Sequence, residues 1–262
     1  MASTVLKTLI IGSSGQLGQT LKELSMSFKD MAFDFKSSTE LDITNPSSIN
    51  ELFQKNNYSH CINCAAYTNV EQAEKTPEAA SKVNTEGVRN LSLACKKHGT
   101  TLIHISTDYV FDGEKDSPYT IHDKPNPINE YGKSKLRGEE HIRNILDNHY
   151  ILRTSWLYSK KYGHNFYRTI LEKAKAGQEL RITDQQLGSP TNTDTLARFI
   201  LEEIIPGNKP FGTYHVTDGI PMTWHDFAKR ILEEHGLTEK AKLVLDRNYR
   251  TFAKRPKNSV LI

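Results

Sequence analysis

Three groups of residues have types and spacings that could do chemistry. The first is Gly12-Ser13-Ser14-Gly15-Gln16-Leu17-Gly18, a GxxGxxG loop between an apolar run and a stretch with helical spacing. Glycines permit a tight turn and let backbone N–H groups close on a pyrophosphate at the positive end of a helix. The same spacing also occurs in glycine-rich turns that hold no ligand. Asp34 closes the next strand-like segment about 20 positions on, the distance at which an acid meets the ribose hydroxyls of a dinucleotide. Lys36 beside it would instead suit a 2′-phosphate, so NAD and NADP both stay open.

The second group is Tyr131-Gly132-Lys133-Ser134-Lys135. With 11 tyrosines and abundant lysine, such a pair arises by chance, so its placement has to carry the reading. At i and i+4 on a helix the phenol and the amine share a face. An ammonium beside a phenol favours phenolate and brings a pKa of ~10 toward working pH, where proton transfer is efficient. The third group, Ser106-Thr107-Asp108, lies where a strand ends, the rim at which parallel sheets bind ligands.

The elements that must position these groups alternate in period. Strands are expected over residues 5–11, 31–35, 59–66, 101–107 and 150–156, with helices over 16–27, from Asn45-Pro46, from Thr76-Pro77-Glu78 to about His98, and over 130–146. Asn and Pro at a helix start supply the N-cap and the first-turn residue. Such alternation forces parallel pairing, each helix returning the chain to the same end of the sheet. The fold class is therefore α/β: a doubly wound, Rossmann-like parallel sheet over residues 1–156. A smaller C-terminal substrate lobe over 157–262 is partly interleaved with it. In that lobe helices are expected over 165–176, 194–205 and 223–234, with a strand over 212–217; Thr223 and Asp226 suit a capping box.

Composition bounds the function. Lys+Arg 34 against Asp+Glu 31 leaves a net charge of +3 without a basic stripe, which argues against a nucleic-acid or membrane-surface partner. No apolar run approaches the ~18 residues of a membrane span, and the N-terminus runs straight into a strand without a signal-peptide core. Three cysteines, Cys61, Cys64 and Cys95, exclude a disulfide framework and fit a cytoplasmic location. Cys61-Ile62-Asn63-Cys64 is formally CxxC, but it falls in a buried strand with no second pair to complete a zinc site, so no metal is expected. His104 reads as an interior histidine, and Trp156 as core packing or as part of the site rim.

A glycine loop, a strand-end hydroxyl and a downstream Tyr-xxx-Lys helix together resemble the extended branch of the short-chain dehydrogenase/reductase superfamily. Asn63 to Val70, Ile105 to Gly113, Leu152 to Tyr158, Gly188-Ser189-Pro190-Thr191 and Arg255-Pro256 narrow the likeness to the reductases that complete dTDP-L-rhamnose synthesis. The resemblance implies reduction of the C4 ketone of a dTDP-linked 6-deoxy-4-ketosugar by NADPH or NADH. Thr107, Tyr131 and Lys135 match its catalytic trio. Gly12, Gly15, Gln16, Leu17 and Gly18 match its pyrophosphate loop, and Asp34, Asp42 and Ile43 its adenosine side. Ala65, Ala66, Tyr67, Thr68 and Ile105, with Tyr131 and Lys135, match the wall beside the cofactor. Thr107, Asp108 and Trp156 match substrate contacts, and Arg255 is a candidate for the substrate pyrophosphate. The partner is then a small nucleotide-sugar; a homodimer is compatible with the resemblance.

Two departures bear on this. Gln185-Gln186-Leu187 stands where the family commonly has Asp-Gln, which puts any contact by that acid in doubt. The chain also stops at Ser259-Val260-Leu261-Ile262, where the family continues for a few tens of residues, so a shortened tail is expected. Rival readings are a sugar-nucleotide epimerase, which shares the trio, and a non-catalytic dinucleotide-binding subunit of the kind similar to the β subunit of methionine adenosyltransferase. Thr107-Asp108-Tyr109 in place of Thr-Asp-Glu argues against a dehydratase.

Overall fold

A computed structural model describes residues 6–262; Val5, which the apolar pattern puts at the start of the first strand, lies outside the described residues. Strands β1 (Leu6–Ile11), β2 (Met31–Lys36), β3 (His60–Asn63), β4 (Thr101–Thr107) and β5 (His149–Thr154) form one parallel sheet in the order β2-β1-β3-β4-β5. A sixth strand, Gly212–His215, pairs in parallel with β5 and closes that edge. The strand expected over 212–217 thus belongs to the main sheet. The order in which strands are added reverses at β1, with β2 on one side and β3 on the other. The crevice beyond their carboxyl ends is the topological switch point at which doubly wound sheets bind ligands.

Both faces of the sheet are covered. Helices α1 (Gln16–Ser25), α2 (Pro46–Lys55), α3 (Val70–Lys75), α4 (Pro77–Ser81), α5 (Val88–His98) and α6 (Glu130–Ile145) lie in the first part of the chain, and α7 (Phe166–Lys175), α8 (Thr193–Arg198) and α9 (Trp224–Glu234) in the second. Leu9, Ile11, Ile49, Phe53, Leu91 and Ile142 pack under one face. Ile10, Leu21, Ile62, Ile103, Leu196 and Ile200 pack under the other. The helix α8 and the π-turn that follows it, Phe199–Ile204, therefore cover the sheet. The second lobe has its own core of Tyr158, Tyr167, Ile170, Phe227 and Ile231, built on the amphipathic helices α7 and α9.

The expected caps are present. Asn45 Oδ1 accepts from the N–H groups of Ser47 and Ser48 with Pro46 in the first turn, and Thr223 and Asp226 form a reciprocal capping box. Three expectations change. The helix expected from Pro77 to His98 is interrupted by a π-turn, Lys82–Gly87. The third strand ends at Asn63 rather than Ala66, because Asn63 Oδ1 takes the N–H of Ala65 and turns the chain. The fifth strand ends at Thr154, and Trp156 then takes the left-handed conformation at φ 47°.

Candidate active site

The glycine loop sits at the switch point, and its glycines are required there by close approach. Gly12 has φ 78°, and a Cβ on it would lie 2.7 Å from the backbone nitrogen of Ala65. A Cβ on Gly18 would lie 2.5 Å from the carbonyl oxygen of Gly12 and 2.6 Å from Ser13 Cα, both backbone atoms. The loop thus packs backbone against backbone and opens the N-terminus of α1 toward the crevice, a cradle suited to a pyrophosphate. Gln16 backs this loop with its side chain: Nε2 donates to Leu157 O at 3.0 Å, and Oε1 accepts from Ser159 N–H and Asn165 Nδ2, each at 3.1 Å. These bonds tie the loop to the second lobe.

The trio converges on the same crevice. Thr107 ends β4; its Oγ1 accepts from Tyr109 N–H and donates to Asp108 Oδ1, both at 3.1 Å. Tyr131 and Lys135 lie one turn apart on α6, whose start is fixed by Asn129 accepting from Gly132 N–H at 2.7 Å. Gly12, Gly15, Gln16, Leu17, Gly18, Ala66, Thr68, Ile105, Thr107, Asp108, Tyr131, Lys135 and Trp156 all line one cavity of about 520 Å³. Thirteen sequence-derived candidates from separate stretches of chain therefore meet in one place.

Five other candidates on the cofactor side are not among its lining residues, and neither is Arg255. Asp34, near the end of β2, accepts from Tyr58 Oη at 2.5 Å through Oδ2 and pairs with Lys36 at 3.0 Å through Oδ1. Asp42 accepts from the N–H and hydroxyl of Thr44, and Ile43 packs against Gly87. Ala65 N–H donates to Asn63, and the Tyr67 backbone is clamped by Asn84, whose amide bonds both its N–H and its carbonyl.

Burial sets the electrostatics. It raises the Tyr131 pKa well above its ordinary value; the Thr107 hydroxyl opposes this, while Asp108 and Tyr109 add to it. Burial lowers Lys135 to about 8, against the pull of Glu139 and Cys64. The Lys135 amine donates to Ile105 O at 2.6 Å and lies 3.1 Å from His104 Nε2, so in this structure it is directed along the strand end. Asp108 is raised to about 6 by burial, opposed by the hydroxyls of Ser259, Ser155 and Thr107. With its oxygens engaged by Thr107 and by Ser155 at 2.9 Å, its carboxylate stands behind Thr107.

The aromatic wall was only half legible in the sequence. Trp156 lies flat on Trp224, with ring centroids 3.5 Å apart and planes 5° apart, and Trp224 Nε1 donates to Gln186 Oε1 at 3.0 Å. A Cβ on Gly188 would strike the Trp156 ring at 2.5 Å. Trp224 and His164 also line the cavity; in sequence Trp224 shows only as the residue after a helix cap. A second cavity of about 660 Å³ adjoins the first and is lined by Phe166, Arg181, Gln186, Trp224, Tyr249 and Arg255 among others. Arg255 is ion-paired with Glu71 at 2.9 Å. Cys61 on β3 and Cys95 on α5 are buried, and burial raises the thiol of Cys64, which follows β3.

A parallel doubly wound sheet, a glycine cradle at its switch point and a Thr-Tyr-Lys set around one cavity define a dinucleotide-dependent oxidoreductase of the extended short-chain type. Residues 6–262 match the family described as the RmlD substrate binding domain, and the chain belongs to that family. It is 38% identical to a dTDP-4-dehydrorhamnose reductase of Aggregatibacter actinomycetemcomitans, covering 97% of this chain and 90% of that one. The structure is similar to a crystal structure of a dTDP-4-dehydrorhamnose reductase from Bacillus anthracis in complex with NADP, with TM-score 0.93, 35% identity, and coverage of 99% and 91%. A Thermus thermophilus UDP-glucose 4-epimerase, at TM-score 0.83 and 17% identity over 98% of this chain and 90% of that one, shares the fold.

The cradle gives a first test. Gly18→Ala forces the Gly12 carbonyl or the Ser13 backbone to move. We expect it to weaken binding of reduced dinucleotide at least about tenfold, roughly 1.4 kcal/mol, and to lower the melting temperature as well. Fluorescence titration measures the first and thermal unfolding the second; an unchanged Kd would remove the cradle role.

Proposed function

We propose that the protein reduces the C4 ketone of dTDP-4-dehydro-L-rhamnose to dTDP-L-rhamnose with NADPH or NADH. The convergence of Thr107, Tyr131 and Lys135 beside the glycine cradle is the observation that carries this reading. The relatives supply the substrate: proteins with which this chain shares 38% and 35% identity over almost its whole length are dTDP-4-dehydrorhamnose reductases. The three cysteines, free thiols in the structure, support a cytoplasmic setting.

Gly12, Gly15 and Gly18 with the N-terminus of α1 would hold the cofactor pyrophosphate, and Ala66, Thr68 and Ile105 would flank the nicotinamide half. When bound, the reduced nicotinamide supplies the hydride. Tyr131 then gives its phenolic proton to the C4 oxygen as that oxygen becomes an alkoxide, leaving a phenolate. Thr107 Oγ1 lies beside the phenol and donates a hydrogen bond to the same oxygen once its proton turns from Asp108 toward substrate; the bond strengthens as charge accumulates. Lys135 in its ammonium form supports the phenolate. The stacked Trp156 and Trp224 close one side of the cavity and exclude water from the sugar. The adjoining cavity suits the nucleotide: Arg181 and Arg255 bring cationic forks for a diphosphate, and Phe166 and Tyr249 bring flat faces for a base.

The test is direct. Purified protein mixed with the ketosugar nucleotide and each reduced cofactor should consume one equivalent of cofactor per sugar, read by loss of nicotinamide absorbance. Product analysis should return the 6-deoxyhexose with a C4 hydroxyl. Isomerised sugar without net cofactor consumption would favour an epimerase and overturn the proposal.

A further inference from the structure

We propose that His104, oriented by Asn63, is a positioning residue that governs the protonation of Lys135 and so sets the upper pH limit of turnover. The inference rests on the reading above, in which Lys135 supports Tyr131. Its starting point is a backbone group whose hydrogen-bonding direction cannot reverse. Ala65 N–H donates to Asn63 Oδ1 at 3.1 Å, so the amide presents its Nδ2–H to His104 Nδ1, 3.2 Å away, and that ring nitrogen must accept. His104 is wholly buried, and burial together with Lys135 drives its pKa well below the ordinary value. The ring is therefore neutral, with its single proton on Nε2.

That Nε2–H faces Lys135 Nζ at 3.1 Å. A neutral amine satisfies every group around it. Its lone pair accepts from His104, one N–H goes to Ile105 O at 2.6 Å, and the other is left for the cleft. An ammonium has no lone pair, so it sets donor against donor in a site that is only 2% exposed. The one-way chain Ala65 → Asn63 → His104 → Lys135 thus favours the uncharged lysine. The other groups that face the amine oppose it: Glu139 from the same helix and Cys64 from the end of β3 both favour the ammonium. Burial lowers Lys135 most, and against Glu139 and Cys64 it leaves the amine at about 8 instead of its ordinary 10.5; the opposing His104 donor acts in the same direction as burial. As pH rises through that value the ammonium is lost, and with it the support for a developing phenolate.

The test reads the resting protein by NMR, without cofactor or substrate. Nitrogen-15 spectra of the imidazole rings, with His104 identified by its loss in His104→Phe, should show the Nε2–H tautomer. With carbon-13 at the lysine ε positions, and Lys135 identified by its loss in Lys135→Met, the Lys135 midpoint should lie near pH 8. His104→Phe removes the opposing donor without adding solvent, so the midpoint should rise by about one unit. His104→Gln, which can accept from Asn63 and donate to Nζ, should keep it close to wild type. The alkaline limb of kcat/KM should move with the NMR midpoint in each variant. An Nδ1–H tautomer, or a midpoint that falls or stays in His104→Phe, overturns the proposal. If that variant does not fold, the wild-type tautomer and a His104→Gln midpoint one unit high or low still decide against it. Failure of the catalytic reading would show elsewhere, as undiminished turnover in Tyr131→Phe, and would leave these spectra unchanged.

Discussion

Tyr131→Phe should leave a protein that folds and binds reduced cofactor but turns over about 10²- to 10⁴-fold more slowly, the range by which a positioned general acid contributes. The change removes one oxygen from a half-buried phenol and keeps the ring, which packs edge-on against Tyr109 at 5.8 Å between centroids. Stability should therefore shift by no more than about 1 kcal/mol, the net worth of an ordinary hydrogen bond. The phenolic proton is needed only as charge grows on the C4 oxygen, so kcat and kcat/KM should fall together. Single-turnover kinetics separate the chemical step from cofactor exchange, and equilibrium titration should give a cofactor Kd within about twofold of wild type. Thr107 and the rest of the cavity remain, so some residual rate is expected from orientation alone. Turnover close to wild type would mean that the proton comes from another donor.

What could be read from sequence was local. Caps announce themselves within four residues, and Asn45-Pro46 and Thr223–Asp226 formed as their chemistry required. Gly18 is legible because a glycine three positions into a helix start has few reasons to be there except close backbone approach. Tyr131 and Lys135 are legible because helical spacing alone puts them on one face. The remainder depends on partners distant in sequence, and no period encodes those. Asp34 has the spacing of a ribose acid, but spacing does not show that Tyr58, from the segment before β3, bonds its oxygen. Trp224 meets Trp156 only because α9 packs back over the crevice. The strand Gly212–His215 reads as part of a separate lobe until it is seen paired with β5. The π-turn at Lys82–Gly87 has a tertiary cause as well. It lets Asn84 hold the Tyr67 backbone and Ser134 at once, while Gly138 of α6 passes so close to the Asn84 carbonyl that a Cβ would come within 2.3 Å.

The same dependence on distant partners makes Glu139 the position at which a single truncation should cost most stability. Glu139→Ala is expected to destabilise the protein by about 3–5 kcal/mol, the range for removing one member of a buried ion pair. Its carboxylate is wholly buried on α6 and accepts from Ser106 Oγ at 2.5 Å, from Arg153 Nε at 3.0 Å and Nη2 at 2.7 Å, and from Arg143 Nη2 at 2.6 Å. Arg153, on β5, is 2% exposed and lies over the Phe111 ring, so the variant strands a guanidinium away from bulk solvent. Burial alone would raise the Glu139 pKa; the Arg153 hydrogen bonds and charge, then Arg143 and Ser106, outweigh it, and the pKa is lowered from 4.5. A group depressed on folding stabilises the native state above its unfolded pKa and ceases to do so as pH falls through its folded value. The stability gap between wild type and variant should thus be full at pH 7 and narrow only in acid below about 4.5. Urea unfolding at both pH values measures it. Arg153→Met added to Glu139→Ala removes the stranded charge and should recover part of the loss, a coupling that separates the ion pair from simple loss of packing. A loss below about 1 kcal/mol at pH 7, or no recovery in the double variant, would show that Arg153 is stabilised by something other than Glu139. Because Ser106 precedes Thr107 on β4 and Glu139 follows Lys135 by one turn on α6, the pair also fixes the strand and the helix that carry the trio. The variant that survives should therefore lose turnover as well as stability, even though residue 139 does not line the cavity.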